Sequence, residues 1–246
     1  MELAKLPIYV ISVVKFTDRQ ASIQDQLRVF GLEPIFIWDY DADSLTDIER
    51  SRCLDGSLPD KSISTVLKHI EAEHRFLQSD AEWCLVLEDD ALLPADFDTK
   101  MRSVLTLVES IDMACLIFVG GTDNRLDSRF FNSDSISLIE SPLTTAEAYI
   151  LNRKGCQARL EWLVVNKIDR PADHFLRHLD DELGIVHFRV SEPFVSQGSI
   201  TGRFKTSLDS SRGKHSAGYL KLRFIWNRFR KQIFPRLFAK LFFCSR

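Results

Sequence analysis

Three adjacent carboxylates, Glu88-Asp89-Asp90, end the apolar run Trp83-Cys84-Leu85-Val86-Leu87. Such a run reads as a buried strand, and in open α/β sheets ligands collect beyond the carboxyl ends of strands. Three like charges in a row repel one another unless water, hydrogen bonds or a cation absorb the field. Hard divalent ions such as Mg²⁺ or Mn²⁺ take oxygen ligands, so the triplet suits a metal that in turn holds a phosphate. Strand alternation sends residues 88 and 90 to one side and Asp89 to the other, which makes Glu88 and Asp90 the pair able to share an ion. Asp90 is the expected direct contact. An isolated acidic triplet is more often a solvated turn after an edge strand. The composition Trp-Cys-Leu-Val-Leu predicts a central strand instead, and that favours the site.

Other residues with chemical potential carry weaker signals. His174 and His178 stand four apart, as zinc ligands on a helix would, but no Glu follows the first in the His-Glu-x-x-His manner. His69 and His187 read as hydrogen-bonded structural histidines. Five dispersed cysteines without a Cys-x-x-Cys pair indicate neither a disulfide framework nor a zinc site, and they fit a reducing compartment.

These residues need a scaffold, and the chain predicts an α/β one. Ile8–Val14 is an apolar, β-branched strand, and Thr17 and Asp18 offer caps for a helix carrying Ile23, Leu27 and Phe30, closed by Gly31. Ile35–Trp38 follows as a second strand. No glycine-rich fingerprint accompanies this opening, so dinucleotide cofactors are not expected. Ser62 or Ser64 caps a helix through Leu77 leading into the Trp83 strand. Residues 96–108 predict a helix, and 143–151, 153–165 and 175–183 further ordered structure. Met113–Val119 and Ile185–Val190 predict strands, the first ending in Gly120-Gly121. A single catalytic domain over residues 1–206 and a basic amphipathic helical tail over 207–246 is the expected organisation.

Charge divides the chain in the same way. The net charge of −3 combines ten Lys and Arg without one acid over residues 212–246 with a surplus of acid before them. In the tail Phe, Trp, Leu and Ile interleave with the cations. That pattern suits a helix lying on an anionic membrane surface, and its apolar density exceeds what nucleic-acid phosphates require. The run Ile8–Val14 lacks a cleavage site, and no stretch reaches the roughly 18 apolar residues of a spanning helix. The expected location is the cytoplasm, peripheral to the inner face of the cell membrane.

In their order along the chain, Asp18-Arg19, Asp39-Tyr40-Asp41-Ala42, Lys68-His69, Leu85-Val86-Leu87-Glu88-Asp89-Asp90, Ala148-Tyr149-Ile150-Leu151, Pro171-Ala172-Asp173 and Ser196-Gln197-Gly198-Ser199 resemble the family-25 glycosyltransferases of lipopolysaccharide biosynthesis. Lys68 departs from the Ser usual before that His. The resemblance implies a Rossmann-like, A-type glycosyltransferase fold with a mostly parallel sheet. It implies inverting transfer of a hexose, with galactose from UDP-galactose leading, to a lipopolysaccharide or other lipid-linked glycan. Mn²⁺ or Mg²⁺ would bridge the donor phosphates, held by Glu88 and Asp90. Ser12, Arg19, Asp39, Asp41, Glu88 and Asp89 form the expected donor-binding set. Asp39 and Asp41 meet ribose or base, or simply make a turn; Arg19 reaches a phosphate, or is a helix-surface charge. Inversion needs a general base, and Asp173 is the candidate, with a first-turn or capping Asp as the equal alternative. The rivals are a metal-dependent phosphohydrolase and a non-catalytic membrane-docking scaffold.

Overall fold

The computed structural model describes residues 2–54, 56, 58–131, 135–205 and 215–243. The expected junction at 206/207 lies outside the described residues. Alternation and apolar runs yield nine strands there: β1 Ile8–Ile11, β2 Ile35–Ile37, β3 Trp83–Glu88, β4 Ala91–Leu92, β5 Cys115–Phe118, β6 Leu138–Glu140, β7 Ala148–Asn152, β8 Val186–Val190 and β9 Ser196–Gln197. The helices are α1 Thr17–Arg28, α2 Asp47–Arg50, α3 Asp60–Leu77, α4 Phe97–Val108, α5 Arg153–Leu163, α6 Ala172–Leu183, α7 Gly198–Thr201, α8 Ala217–Arg228 and α9 Phe234–Phe243.

Seven strands form one sheet in the order β2-β1-β3-β7-β5-β8-β6. Strands β2, β1, β3, β5 and β8 run one way, whereas β7 and the edge strand β6 run against them. The sheet is thus mostly parallel, mixed α/β and Rossmann-like. Both faces are covered, as a continuously apolar strand such as β3 requires. Leu85, Leu87, Ile117 and Ile150 pack with α1 and α4 on one side. Val86, Leu116, Tyr149 and Leu151 pack with α3, α5 and α6 on the other.

Beneath the second face lies a buried ionic network. Arg159, wholly buried, reaches Glu73 at 2.5 Å and Asp180 at 2.6 Å, and Asp180 also meets His187 at 2.5 Å. Burial pushes Glu73 up to about 7, because Arg159 shares its charge with Asp180 and offsets only part of the desolvation. His69 pairs with the Tyr149 hydroxyl at 2.9 Å, so each of the two core histidines has a buried hydrogen-bond partner. Cys53, Cys84, Cys115 and Cys156 are buried free thiols.

Several helix starts differ from expectation. Helix α1 begins at Thr17 with Phe16 in the cap position, and α3 begins at Asp60 after Pro59, which places Ser62 and Ser64 inside the helix. Pro59 stands in the cap position without a side-chain acceptor, and Asp60 in the first turn complements the helix dipole.

The C-terminal segment is helical, with a π turn at Phe229–Ile233 between α8 and α9. It is docked on the body. Gln232 donates to the carbonyls of Gly121 and Asn124, Lys231 donates to the Asp123 carbonyl, and Arg236 donates to the Ser191 carbonyl. Its outer face leaves Leu222, Trp226, Phe234 and Leu237 more than half exposed. Among the described residues no helix is long and apolar enough to cross a membrane.

Candidate active site

Strand β1 pairs with β3 in parallel so that Ile11 lies beside Glu88, and the turn after each strand opens on the same edge of the sheet. Between these turns and the first turns of α1 and α3 is a cavity of about 600 Å³, lined among others by Ser12, Arg19, Lys68, Glu88 and Asp89. Phe204 and Lys205 close it from a segment remote in sequence. Lys15 and Lys61 also line the wall, beside Asp18 and Asp43, with Lys15 2.5 Å from Asp43.

Asp89 and Arg19 organise that wall. One Asp89 oxygen accepts from Ser12 Oγ at 2.8 Å and the other from Arg19 Nη1 at 2.9 Å. Burial raises the Asp89 pKa, and Arg19 and Ser12 pull against it. The Arg19 guanidinium also lies over the rings of Phe16, at 4.8 Å, and Phe204, at 5.5 Å, and donates to the Lys205 carbonyl. One side chain thereby ties α1, the end of β3 and the closing segment together. Lys68 is buried, with Nζ 2.7 Å from Asp41. Burial lowers its pKa, and Asp41 opposes the shift.

Glu88 and Asp90 face the segment 197–199. Glu88 accepts from Gln197 Nε2 at 2.8 Å; burial first, then the charges of Asp90, Glu147 and Asp89, push its pKa up to about 8. Asp90 accepts the Ser199 amide at 2.9 Å through Oδ2, and its carbonyl accepts the Gly198 amide at 2.7 Å. A Cβ on Gly198 would lie 2.8 Å from that carbonyl, so the close approach requires glycine. Glu147, which the sequence did not single out, sits behind this pair. It accepts the Gly121 amide, and burial pushes its pKa up to about 7.

Of the expected site residues, Ser12, Arg19, Glu88 and Asp89 share the cavity wall. Asp90 lies behind it. Asp41 stands one contact away, holding Lys68 and the Val14 amide, and Asp39 pairs with Arg75 at 2.5 Å outside the wall. Asp173 is in the first turn of α6, half-buried, with its carboxylate on the His174 amide. Helix α6 ends next to the start of β8, so its first turn lies towards the sheet edge that carries the acidic triplet. It does not line the cavity.

The donor set suits a hard divalent ion. Asp90 Oδ1 is buried without a hydrogen-bond partner, and the buried carboxylates of Glu88 and Glu147 each feel its charge. A cation there would meet the unpaired oxygen and discharge the mutual repulsion. Among the described residues no three His, Cys, Asp or Glu side chains are grouped so as to hold a metal ion by themselves. Mg²⁺-type ions need no such group, since one or two carboxylates plus substrate phosphates and water complete their shell.

No family model and no curated protein matches the chain. Among solved structures it is similar to a glycosyltransferase involved in the glycosylation of the major capsid of PBCV-1, with a TM-score of 0.45 and 9% identity over 90% of this chain and 98% of that one. At that level of likeness no activity carries from one protein to the other.

Proposed function

We propose that the protein is a metal-dependent, inverting glycosyltransferase of A type that moves a hexose, galactose from UDP-galactose in the first instance, onto a lipopolysaccharide-type or other lipid-linked glycan. The observation that carries this reading is one juxtaposition. A nucleotide-sized cavity rimmed by Lys15, Lys61, Lys68 and Lys205 meets an acidic strand end whose Asp90 keeps a buried, unpaired oxygen. The cations would follow the diphosphate, while Ser12, Arg19 and Asp89 fix the shape of the wall. Asp41 would act through Lys68, holding its ammonium towards the cavity. An ion on Glu88 and Asp90 would stabilise the charge that develops on the departing diphosphate.

Thermal shift against a panel of nucleotide sugars, with and without Mn²⁺, tests the reading. A shift that needs both UDP and the ion is expected, largest with the true donor. Release of phosphate from simple phosphate esters without any sugar acceptor would favour a phosphohydrolase. No nucleotide response in any combination would leave the scaffold reading.

Asp173 is the proposed base for the acceptor hydroxyl, and its position off the donor wall suits an acceptor-side role. Asp173→Asn is then expected to lower turnover by about 10²-fold or more with donor affinity unchanged, since general-base catalysis acts in the transition state. A first-turn Asp that merely complements the helix dipole would cost about 0.3–1 kcal/mol of stability and leave turnover per folded molecule intact. Recording rate and melting temperature on the same preparation separates the two.

The outer face of α8 and α9 is the proposed contact with an anionic membrane at its cytoplasmic side. Exposed Trp226, Phe234 and Leu237 supply apolar insertion, and the excess of Lys and Arg supplies attraction.

A further inference from the structure

A second cleft, of about 260 Å³, lies between the C-terminal segment and the turn Ser191–Pro193, with Arg228, Gln232 and Arg236 on one wall and Leu126 on the other. Its electrostatics are one-sided. Arg236 spends one nitrogen on the Ser191 carbonyl at 2.9 Å, but its Nε is buried without a partner. Arg228 makes no ion pair with a carboxylate among the described residues. The single acid at the rim, Glu192, is matched by Lys100 at 3.0 Å. Gln232 turns its amide away, onto the carbonyls of Gly121 and Asn124. Two guanidinium groups therefore border a small, partly apolar space whose one carboxylate, Glu192, is paired with Lys100 rather than with either of them.

The Nε is closed off from solvent, so a ligand oxygen would meet the outer nitrogens of Arg236 and those of Arg228. Guanidinium matches phosphate better than it matches most anions, through paired hydrogen bonds. The surroundings narrow the source of the phosphate. Ile233 and Leu237 line the same cleft and are 43% and 52% exposed, and Phe234 beside them is 52% exposed. A phosphate with hydrocarbon attached finds both of its halves accommodated; a free phosphate uses only one.

We propose that this cleft binds the phosphate group of an anionic lipid, gripped by Arg228 and Arg236, with the lipid chains running along Ile233, Phe234 and Leu237. The assignment deepens the membrane-docked reading and rests on it: it turns a diffuse basic face into a defined headgroup site. Leu126, on the opposite wall, donates its amide to the Lys231 carbonyl and ends the loop that starts at Gly121, whose amide is held by Glu147. A lipid seated here would lie one short loop away from the carboxylate cluster.

Vesicle binding by the full-length protein tests this. Flotation with phosphatidylcholine vesicles, with and without phosphatidic acid, is compared for the wild type, for R228Q/R236Q, and for R223Q/R230Q, which removes equal charge from outside the cleft. The cleft pair is expected to lose about tenfold more affinity than the control pair, a difference of about 1.4 kcal/mol. R228Q alone, at a side chain that makes no ion pair among the described residues, should show about half of that in free energy if the double variant proves unstable. Equal losses from the two pairs, or none, would overturn the site in favour of diffuse attraction. Competition distinguishes the ligand: short-chain phosphatidic acid should displace vesicles at concentrations where inorganic phosphate does not, and equal potency would overturn the lipid assignment. The UDP and Mn²⁺ thermal shift of the same variants should stay at the wild-type value. A protein that passes the vesicle test but never responds to UDP would retain the cleft and lose the glycosyltransferase reading.

Discussion

Asp90→Asn is expected to abolish Mn²⁺-dependent binding of UDP, by a factor of about 10² or more, while the ligand-free protein melts at or slightly above the wild-type temperature. The two halves of this expectation have separate causes. Asn keeps an oxygen for the Ser199 amide, so the contact that holds the start of α7 survives. What is lost is a charge and the unpaired Oδ1 beside Glu88 and Glu147. Without the ion, removal of one of three crowded carboxylates relieves repulsion. With the ion, it removes a ligand, and a hundredfold loss corresponds to about 2.7 kcal/mol. Calorimetry of UDP binding with and without Mn²⁺, beside a melting curve, measures both. Normal UDP affinity in this variant would reduce Asp90 to a cap for α7.

Arg159→Met is expected to be the most damaging substitution for stability, costing about 3–5 kcal/mol, because it leaves two buried carboxylates without their shared cation. The pH dependence has a definite sign. Glu73 titrates near 7 in the fold against 4.5 when unperturbed, so the folded chain holds more protons between those values, and its contribution weakens as pH rises through that window. Loss of Arg159 removes the group that pulls this pKa down and so enlarges the effect. The deficit of the variant should be smaller at about pH 5.5 than at about pH 8. Urea unfolding at both values checks the sign. A deficit below about 1 kcal/mol at the higher pH would show that the network tolerates an unpaired charge.

The fold was legible where local patterns determine it. Leu85-Val86-Leu87 and Leu116-Ile117-Phe118 could only be buried strands, and Met101, Val104, Leu105 and Val108 keep helical spacing; both appear as expected. The reversed insertion of β7 between β3 and β5 left no local trace, because strand order is a property of pairing and not of composition. The short pair β4 and β9 was equally silent. Along the cavity wall, Glu88 and Asp89 could be named from the apolar run they end, and Ser12 and Arg19 only through the family resemblance. Phe204 and Lys205 could not, since only tertiary folding brings them to Arg19. Lys68 was visible only as a departure from the serine usual before that histidine in the resembled family, and nothing local says that a lysine is buried against Asp41. Glu147 shares its position at the start of β7 with many solvated acids, and only Gly121 and the neighbouring carboxylates distinguish it.

The position of β7 has a cost during assembly. Until Ala148–Asn152 arrives, β3 and β5 each present a bare edge, and the side chains along Trp83–Leu87 and Cys115–Phe118 are apolar throughout. Bare apolar edges pair with any strand of similar character, including one from a second molecule. The closing strand follows β5 by about thirty residues, through a stretch whose described residues contribute one short edge strand, so loop closure must precede the reward of two new ladders. A half-made sheet of this chain is therefore sticky for as long as that search lasts, and dilution or a chaperone that shields the gap governs how much of it reaches the native state.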